Sequence, residues 1–337
     1  MSYSFRYLRI CQFILFLLFV SNIVRAQKAT FKNRYVVDKK GNGDFLTIQD
    51  AVNAVRDLSQ QRVTIFIKNG VYKEKIIVPQ QKSNITLLGE NKDSTIISNG
   101  DYSGKVRMEG RDAMGLTKFS TYTSYTVLVQ GQNFIAKDLT IENTAGRIGQ
   151  AVALHVDADR VQVINCRLSG NQDTLYAAEG RQYYQDCIIE GTTDFIFGKA
   201  IAIFSNCTIV SKQNSYITAA SSDPEQKYGF VFFKCKLMAS DNTVNQVFLG
   251  RPWRPFAKTV FLDCNMGGFI RPDGWDNWRD TTNEKTAFYA EYHSTGSGAN
   301  LSKRVKWSYQ LTSKEAKLYS INNIFNLNDT WIPSLKE

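Results

Sequence analysis

Asp173 and Asp194 stand 21 residues apart, and each follows a cysteine by seven residues. The cysteines, Cys166 and Cys187, keep the same interval, within Asn165-Cys166-Arg167-Leu168-Ser169-Gly170 and Asp186-Cys187-Ile188-Ile189-Glu190-Gly191. If 21 residues make one coil of a solenoid, the two carboxylates stack, because parallel strands lie about 4.7–4.9 Å apart. Carboxylates that close do not both ionise cheaply, so the pair suits acid–base or nucleophilic work at a single reaction centre. Gln150 lies 22 residues before Gln172, about one coil, so two amides converge on the same face as the two carboxylates. Downstream, Leu249-Gly250-Arg251-Pro252-Trp253 presents an arginine between Gly and Pro with an aromatic two residues on.

The elements that must position these residues are short and β-rich. Cys207, Cys235 and Cys264 continue the phase at intervals of 20, 28 and 29 residues. Each cysteine sits in an apolar run (residues 161–168, 183–189, 202–210, 230–237 and 259–266), and residues 134–141 form a similar run without one. A repeat of this length on short strands marks a solenoid. No long amphipathic helix alternates with the strands, which argues against a doubly wound sheet, and the leucine spacing of leucine-rich repeats is missing. The expectation is an all-β, right-handed parallel β-helix whose loops absorb the longer intervals, with the usual handedness of parallel crossovers. Its cysteines then act as small buried hydrophobes. Thr47-Ile48-Gln49-Asp50 resembles a capping box, and Ile48, Ala51, Val52 and Val55 follow at helical spacing, predicting a short N-terminal capping helix. Thr312-Ser313-Lys314-Glu315 predicts a second box opening a C-terminal helical segment.

Residues 1–26 read as an export signal: Arg6 and Arg9 precede an apolar run, residues 13–20, too short to span a bilayer, and Val24 and Ala26 suit cleavage after Ala26. Residues 27–337 are then one β-helical domain. Cleavage removes three arginines and lowers the formal charge from +10 to +7. A basic exported chain suits an acidic polymer, nucleic acid or an anionic membrane. Five cysteines remain, an odd number that cannot pair fully. There is no CxxC, and only His155 and His293 are present, read as ordinary packing or surface residues, so no metal or other cofactor is expected.

The chain resembles the pectin methylesterases, the pectinesterase family. The likeness is carried in order by Gly70-Val71-Tyr72-Lys73-Glu74, Gln150-Ala151-Val152-Ala153-Leu154, Gln172-Asp173-Thr174-Leu175, Asp194-Phe195-Ile196-Phe197-Gly198 and Leu249-Gly250-Arg251-Pro252-Trp253. It extends over Gly41-Asn42-Gly43-Asp44-Phe45, Glu142-Asn143-Thr144-Ala145-Gly146, Gly274-Trp275 and Trp278, from about Tyr35 to about Leu318. The resemblance implies the same β-helix and hydrolysis of galacturonate methyl esters in pectin. It implies Asp194 as nucleophile, Asp173 as general acid and then base, Gln150 and Gln172 as an oxyanion hole, and Arg251 as the partner that keeps Asp194 charged. Trp253 is implied as a sugar contact, with Thr121, Tyr176 and Phe197 as further substrate contacts. Tyr72 and Glu74 carry no chemistry in this reading. The implied partner is methyl-esterified homogalacturonan rather than nucleic acid, met by an exported monomer with no membrane span once mature. The mature chain starts almost directly at the repeat, without the long helical inhibitor-like pro-region of many plant members, which predicts a simple exported enzyme.

Rival chemistries fit less well. Carboxylates about 5–5.5 Å apart also suit a retaining glycosidase, but the paired-aspartate and Gly-His-Gly motifs of the β-helical polygalacturonases are absent. Neither the acidic calcium cluster of pectate lyases nor a Gly-x-Ser-x-Gly elbow is found. A thioesterase of this type conflicts with the export signal and basic charge. A non-catalytic adhesin or carbohydrate-binding β-helix has no use for Asp173, Asp194 and Arg251 together. Taken singly, each residue has a plainer role: an aspartate as turn former, a glutamine in an amide ladder, Arg251 in a surface ion pair, and Trp253 in core packing.

Overall fold

Each apolar run of the sequence folds as two strands rather than one, because the residue before each cysteine turns a corner. The computed structural model describes residues 31–111, 115–326, 329 and 331–333, so the export segment predicted over residues 1–26 lies outside the described residues. Asn165, Asp186, Asn206, Lys234 and Asp263 all have φ between 48° and 54°. Asn and Asp tolerate this left-handed conformation better than other side-chain-bearing residues. Each corner separates a strand of one sheet from a strand of the next, as between Val161–Ile164 and Arg167–Ser169, or Arg181–Gln185 and Ile188–Gly191.

Coil upon coil, the strands form three wholly parallel sheets of eleven, eight and seven strands among the described residues. This is the right-handed parallel β-helix that the repeat predicts. The sheet of seven runs from Ile76–Val78 through Val127–Val129, Leu154–Asp157, Leu175–Glu179, Ile196–Gly198 and Tyr216–Ala220 to Phe248–Gly250. Like residues stack inside. Tyr184, Phe204, Phe232 and Phe261 are register partners with centroids 4.8, 4.4 and 4.4 Å apart. All five cysteines among the described residues are buried and unpaired, and the Cys187 thiol donates to the Val163 carbonyl at 3.2 Å. Burial pushes the Cys187 and Cys207 thiols well up, so they stay neutral.

Both predicted helical segments are present. The helix Ile48–Ala54 buries Ile48, Ala51 and Val52 against the first coil. Its box is partial. Thr47 accepts the Asp50 N–H, but the Asp50 carboxylate takes the Thr47 hydroxyl at 2.6 Å, and Glu74 caps the N–H groups of Ile48 and Gln49 instead. That gives Glu74 the structural role expected of it. At the other end, Thr312 and Glu315 form the complete box opening the helix Ser313–Ala316. The helix Ile321–Phe325 lays Ile324 and Phe325 on Tyr183, Ile203 and Val231.

One excursion bears on the site. Between the strands Thr95–Asn99 and Val127–Val129 the chain leaves the coil. It is tied back where the buried Asn143 amide donates to the carbonyls of Asp101, Ser124 and Val152. Lys75 bonds Asp101 and the Thr123 carbonyl, and the excursion ends in the short turn Thr121–Thr123 beside the sheet of seven.

Candidate active site

The outer face of the sheet of seven carries a ladder at the repeat interval. Leu128 pairs in register with His155, His155 with Tyr176, Tyr176 with Phe197, and Phe197 with Ala219. Tyr176 and Phe197 stack at 4.5 Å, and His155 lies 4.5 Å from Tyr176 on the other side. Trp253 stands edge-on to Phe197 at 5.8 Å and to Tyr176 at 6.5 Å. Of these, His155, Tyr176 and Trp253 line an open cleft of about 710 Å³, with Tyr122 and Arg254.

A smaller cavity of about 280 Å³ adjoins this cleft through Tyr122 and Trp253, and it gathers the chemistry: Gln150, Gln172, Asp173, Asp194, Arg251 and Thr121. Asp173 and Asp194 each stand two residues before a strand of the sheet of seven, Leu175–Glu179 and Ile196–Gly198. They occupy equivalent turns of successive coils. Asp173 donates its N–H to the Thr193 carbonyl at 3.1 Å, and Asp194 donates to Tyr216, one coil further on, at 2.9 Å. Both have left-handed backbones, φ 67° and 50°, a conformation that aspartate tolerates better than most side-chain-bearing residues. Arg251 follows the strand Phe248–Gly250 and grips Asp194 in a bidentate pair, Nε to Oδ1 at 2.9 Å and Nη2 to Oδ2 at 2.6 Å. The close approach of coils here requires Gly250, since a Cβ would fall 2.0 Å from Thr218 Oγ1.

The electrostatics separate the two acids. Burial, with the Asp194 charge adding to it, pushes the Asp173 carboxyl well above the usual carboxylate range, and Arg251 only partly opposes this. Burial raises Asp194 as well, but here the Arg251 hydrogen bonds and charge pull directly against it. Asp173 is therefore the member that keeps a proton and Asp194 the member that loses one. The side-chain amides of Gln150 and Gln172 have no hydrogen-bond partner among the described residues and line the same cavity, so their donors are free for a ligand. A nucleophile, an acid, a cation and two neutral donors around one small cavity can support acyl transfer.

A pectinesterase family model matches residues 34–328. The chain belongs to the pectinesterase family. Its sequence is 38% identical over 316 residues to a probable pectinesterase/pectinesterase inhibitor of Arabidopsis thaliana, across 90% of this chain and 54% of that protein. It is also 38% identical over 282 residues to pectinesterase 31 of the same plant, across 83% and 88%. The pectin methylesterase from carrot superposes with a TM-score of 0.81 at 35% identity, covering 89% of this chain and 95% of that one. A pectin methylesterase from Erwinia chrysanthemi does so with a TM-score of 0.76 at 30% identity, covering 90% and 100%. The chain spans about half the length of several curated relatives that it matches.

In this pectinesterase-family chain every sequence-derived site residue borders the cavity or the cleft. Asp173, Asp194, Gln150, Gln172, Arg251, Thr121, Phe197 and Trp253 line the cavity, and Tyr176 lines the adjoining cleft. Sequence reasoning left out Tyr122, Tyr216 and the placement of His155, and it gave Trp278 no role. For His155 the signal was present: residues 155, 176 and 197 repeat the 21-residue interval of the aspartates. Burial lowers His155 to about 4, so it is a neutral floor residue at neutral pH. His293, exposed and beside Asp263, is the surface residue it was read to be. For Tyr216 too a signal was present, since it lies 22 residues after Asp194, the interval that relates Gln150 to Gln172; Tyr122 carries none, because the excursion brings it in.

Proposed function

We propose that this chain hydrolyses methyl esters of galacturonate units in pectin, releasing methanol and leaving a carboxylate polymer. The observation that carries the reading is one cavity holding a protonation-prone Asp173 beside an Asp194 gripped by Arg251, with two uncommitted amides. In the first step an Asp194 carboxylate oxygen attacks the ester carbon. Gln150 and Gln172 donate to the oxyanion, each such donor being worth roughly 3–4 kcal/mol. The carbon–methoxy bond breaks, and the departing oxygen takes the Asp173 proton, giving methanol and an acyl group on Asp194. In the second step water gives a proton to Asp173 and its oxygen to the acyl carbon. The electron pair returns to Asp194, and the new carboxylic acid loses its proton to solvent.

The cleft beside the cavity supports a polymeric substrate. Its aromatic lining of Tyr122, Tyr176 and Trp253 suits the apolar faces of sugar rings, and a relative of this fold has been solved as a mutant in complex with a hexasaccharide. Thr121 and Tyr122 wall the same opening. We propose further that residues 1–26 direct export, that residues 27–337 form one catalytic domain, and that it acts as a monomer. N-terminal sequencing of the exported protein should begin at Gln27.

Methanol release from methyl-esterified pectin is the decisive measurement. The wild type should release methanol without shortening the polymer, and Asp194→Asn should lower kcat about 10³-fold or more. Shorter oligosaccharides or unsaturated ends without methanol would point to glycosidase or lyase chemistry. Full activity in Asp194→Asn would remove the nucleophile from this scheme.

A further inference from the structure

The Arg251 guanidinium is held by more than its carboxylate partner. Its Cζ lies 3.9 Å from the Tyr216 ring centroid and 3.7 Å from that of Trp278, so the cation sits between two aromatic rings while its edge bonds Asp194. Tyr216 opens the strand Tyr216–Ala220, and its carbonyl accepts the Asp194 N–H at 2.9 Å. One residue therefore holds Asp194 by its backbone and the Arg251 cation by its ring. Tyr216 is supported in turn by Phe248, stacked at 5.2 Å and 12°, with Arg271 over the Phe248 ring at 4.6 Å.

Trp278 reaches the guanidinium at a conformational cost. Its φ is 61°, a left-handed backbone that a bulky aromatic rarely adopts. The Asp276 carboxylate holds the turn by accepting the Trp278 N–H at 2.7 Å. Such strain persists only where the surroundings over-determine it. Trp278 lines the cavity, whereas Tyr216 is not among the described residues that do, so Tyr216 acts on the site only through its neighbours.

We propose that Tyr216 and Trp278 are positioning residues that hold the Arg251 guanidinium in register with Asp194 while the charge on that carboxylate is lost and regained. The inference rests on the acyl-enzyme reading above. When an Asp194 oxygen bonds to the substrate carbon, Arg251 loses its counter-ion. A partly buried cation left without one is costly and tends to swing toward water. The faces of two aromatic rings attract a cation whatever the state of the carboxylate. The guanidinium is then already in place when the Asp194 electron pair returns, and the returning charge is met without reorganisation.

The test compares Tyr216→Leu and Trp278→Leu with Tyr216→Phe, which keeps the ring, by methanol release from methyl-esterified pectin across pH. Tyr216→Leu should lower kcat about tenfold or more with KM within about twofold, and Tyr216→Phe should recover most of that loss. In both leucine variants the acid limb of kcat/KM should move to higher pH by about half a unit, because a loosened Arg251 no longer holds Asp194 ionised. An acid limb that stays put in both variants overturns the proposal, as does a Tyr216→Leu loss confined to KM. If Tyr216→Leu fails to give the wild-type circular dichroism, the limb in Trp278→Leu decides alone. A folded wild type that releases no methanol removes the hydrolytic reading instead. The clamp is then judged by carboxyl NMR titration of Asp194, whose midpoint must rise in Trp278→Leu for the clamp to stand.

Discussion

At the scale of single residues, two aspartates of identical chemistry acquire different protonation from their neighbours. Asp173 is buried beside another acid, while Asp194 is buried but bonded twice by Arg251. Activity by the proposed route needs Asp194 ionised and Asp173 protonated. Accordingly kcat/KM should rise as Asp194 loses its proton and fall as Asp173 loses its own, with the alkaline limb above the usual carboxylate range; a pH–rate profile checks this. The same environment has a cost in stability. The folded pKa of Asp173 is raised above its unfolded value, so its contribution is complete below about pH 4 and is lost as pH rises through the folded value. Asp173→Asn should therefore be inactive yet melt about 1–3 °C above the wild type at neutral pH, the gain vanishing near pH 4, as measured by thermal unfolding.

At the scale of elements, the corner and the cysteine act together. A left-handed residue, Asn or Asp at four of the five corners and Lys234 at the other, turns the chain, and the cysteine after it is buried in the core. All five thiols are buried out of reach of solvent, and burial keeps those of Cys166, Cys187, Cys207 and Cys235 neutral. Cys166, Cys187, Cys207, Cys235 and Cys264 should all resist an aromatic disulfide reagent in the native protein and react once it is unfolded. Cys187→Ala should cost about 1–2 kcal/mol in denaturant unfolding through the small cavity it leaves. The turn-former role that the sequence offers for an isolated aspartate is real at these corners: Asp186 and Asp263 are such residues. Asp173 and Asp194 share their backbone conformation but stand at a different turn, where their side chains line a cavity.

At the scale of the whole molecule, the described residues from Asn33 onward form a stack of coils, with the helix Ile48–Ala54 packed on the first coil and the C-terminal helices laid against the side of the largest sheet. Every coil presents the edge of its neighbour to the next, so exposed strand edges survive only at the ends. The helix Ile321–Phe325 covers part of the largest sheet and buries Ile324 and Phe325 completely. Truncation before Ser320 should cost several kcal/mol, at about 1.5–3 for each of those two side chains, and lower the melting temperature. Arg181 would also lose its bonds to the Phe325 carbonyl and Asp329. The catalytic assignment makes no use of this segment, so methanol release below the melting transition should persist. No helix among the described residues is long and apolar enough to cross a membrane.

The sequence alone carried the coil interval, the parallel β-helix and both helical segments, and through its family resemblance the five residues at the centre of the cavity, but not the division of each coil among three sheets. It could do so because a β-helix maps sequence distance directly onto height: residues one period apart stack, whatever lies between them. The 21-residue interval therefore reported a spatial fact about Asp173 and Asp194. The family resemblance already implied that Arg251 partners Asp194; the fold supplied the bidentate geometry, since that arginine arrives two coils later through intervals of irregular length. The period places Tyr216 beside Asp194, but only the folded chain turns its ring and that of Trp278 onto one guanidinium, and only it carries in Tyr122, by an excursion outside the repeat. Periodicity encodes stacking within the coil. Contacts made by loops that leave the coil depend on lengths and bends that obey no period, and these emerge only when the chain is folded.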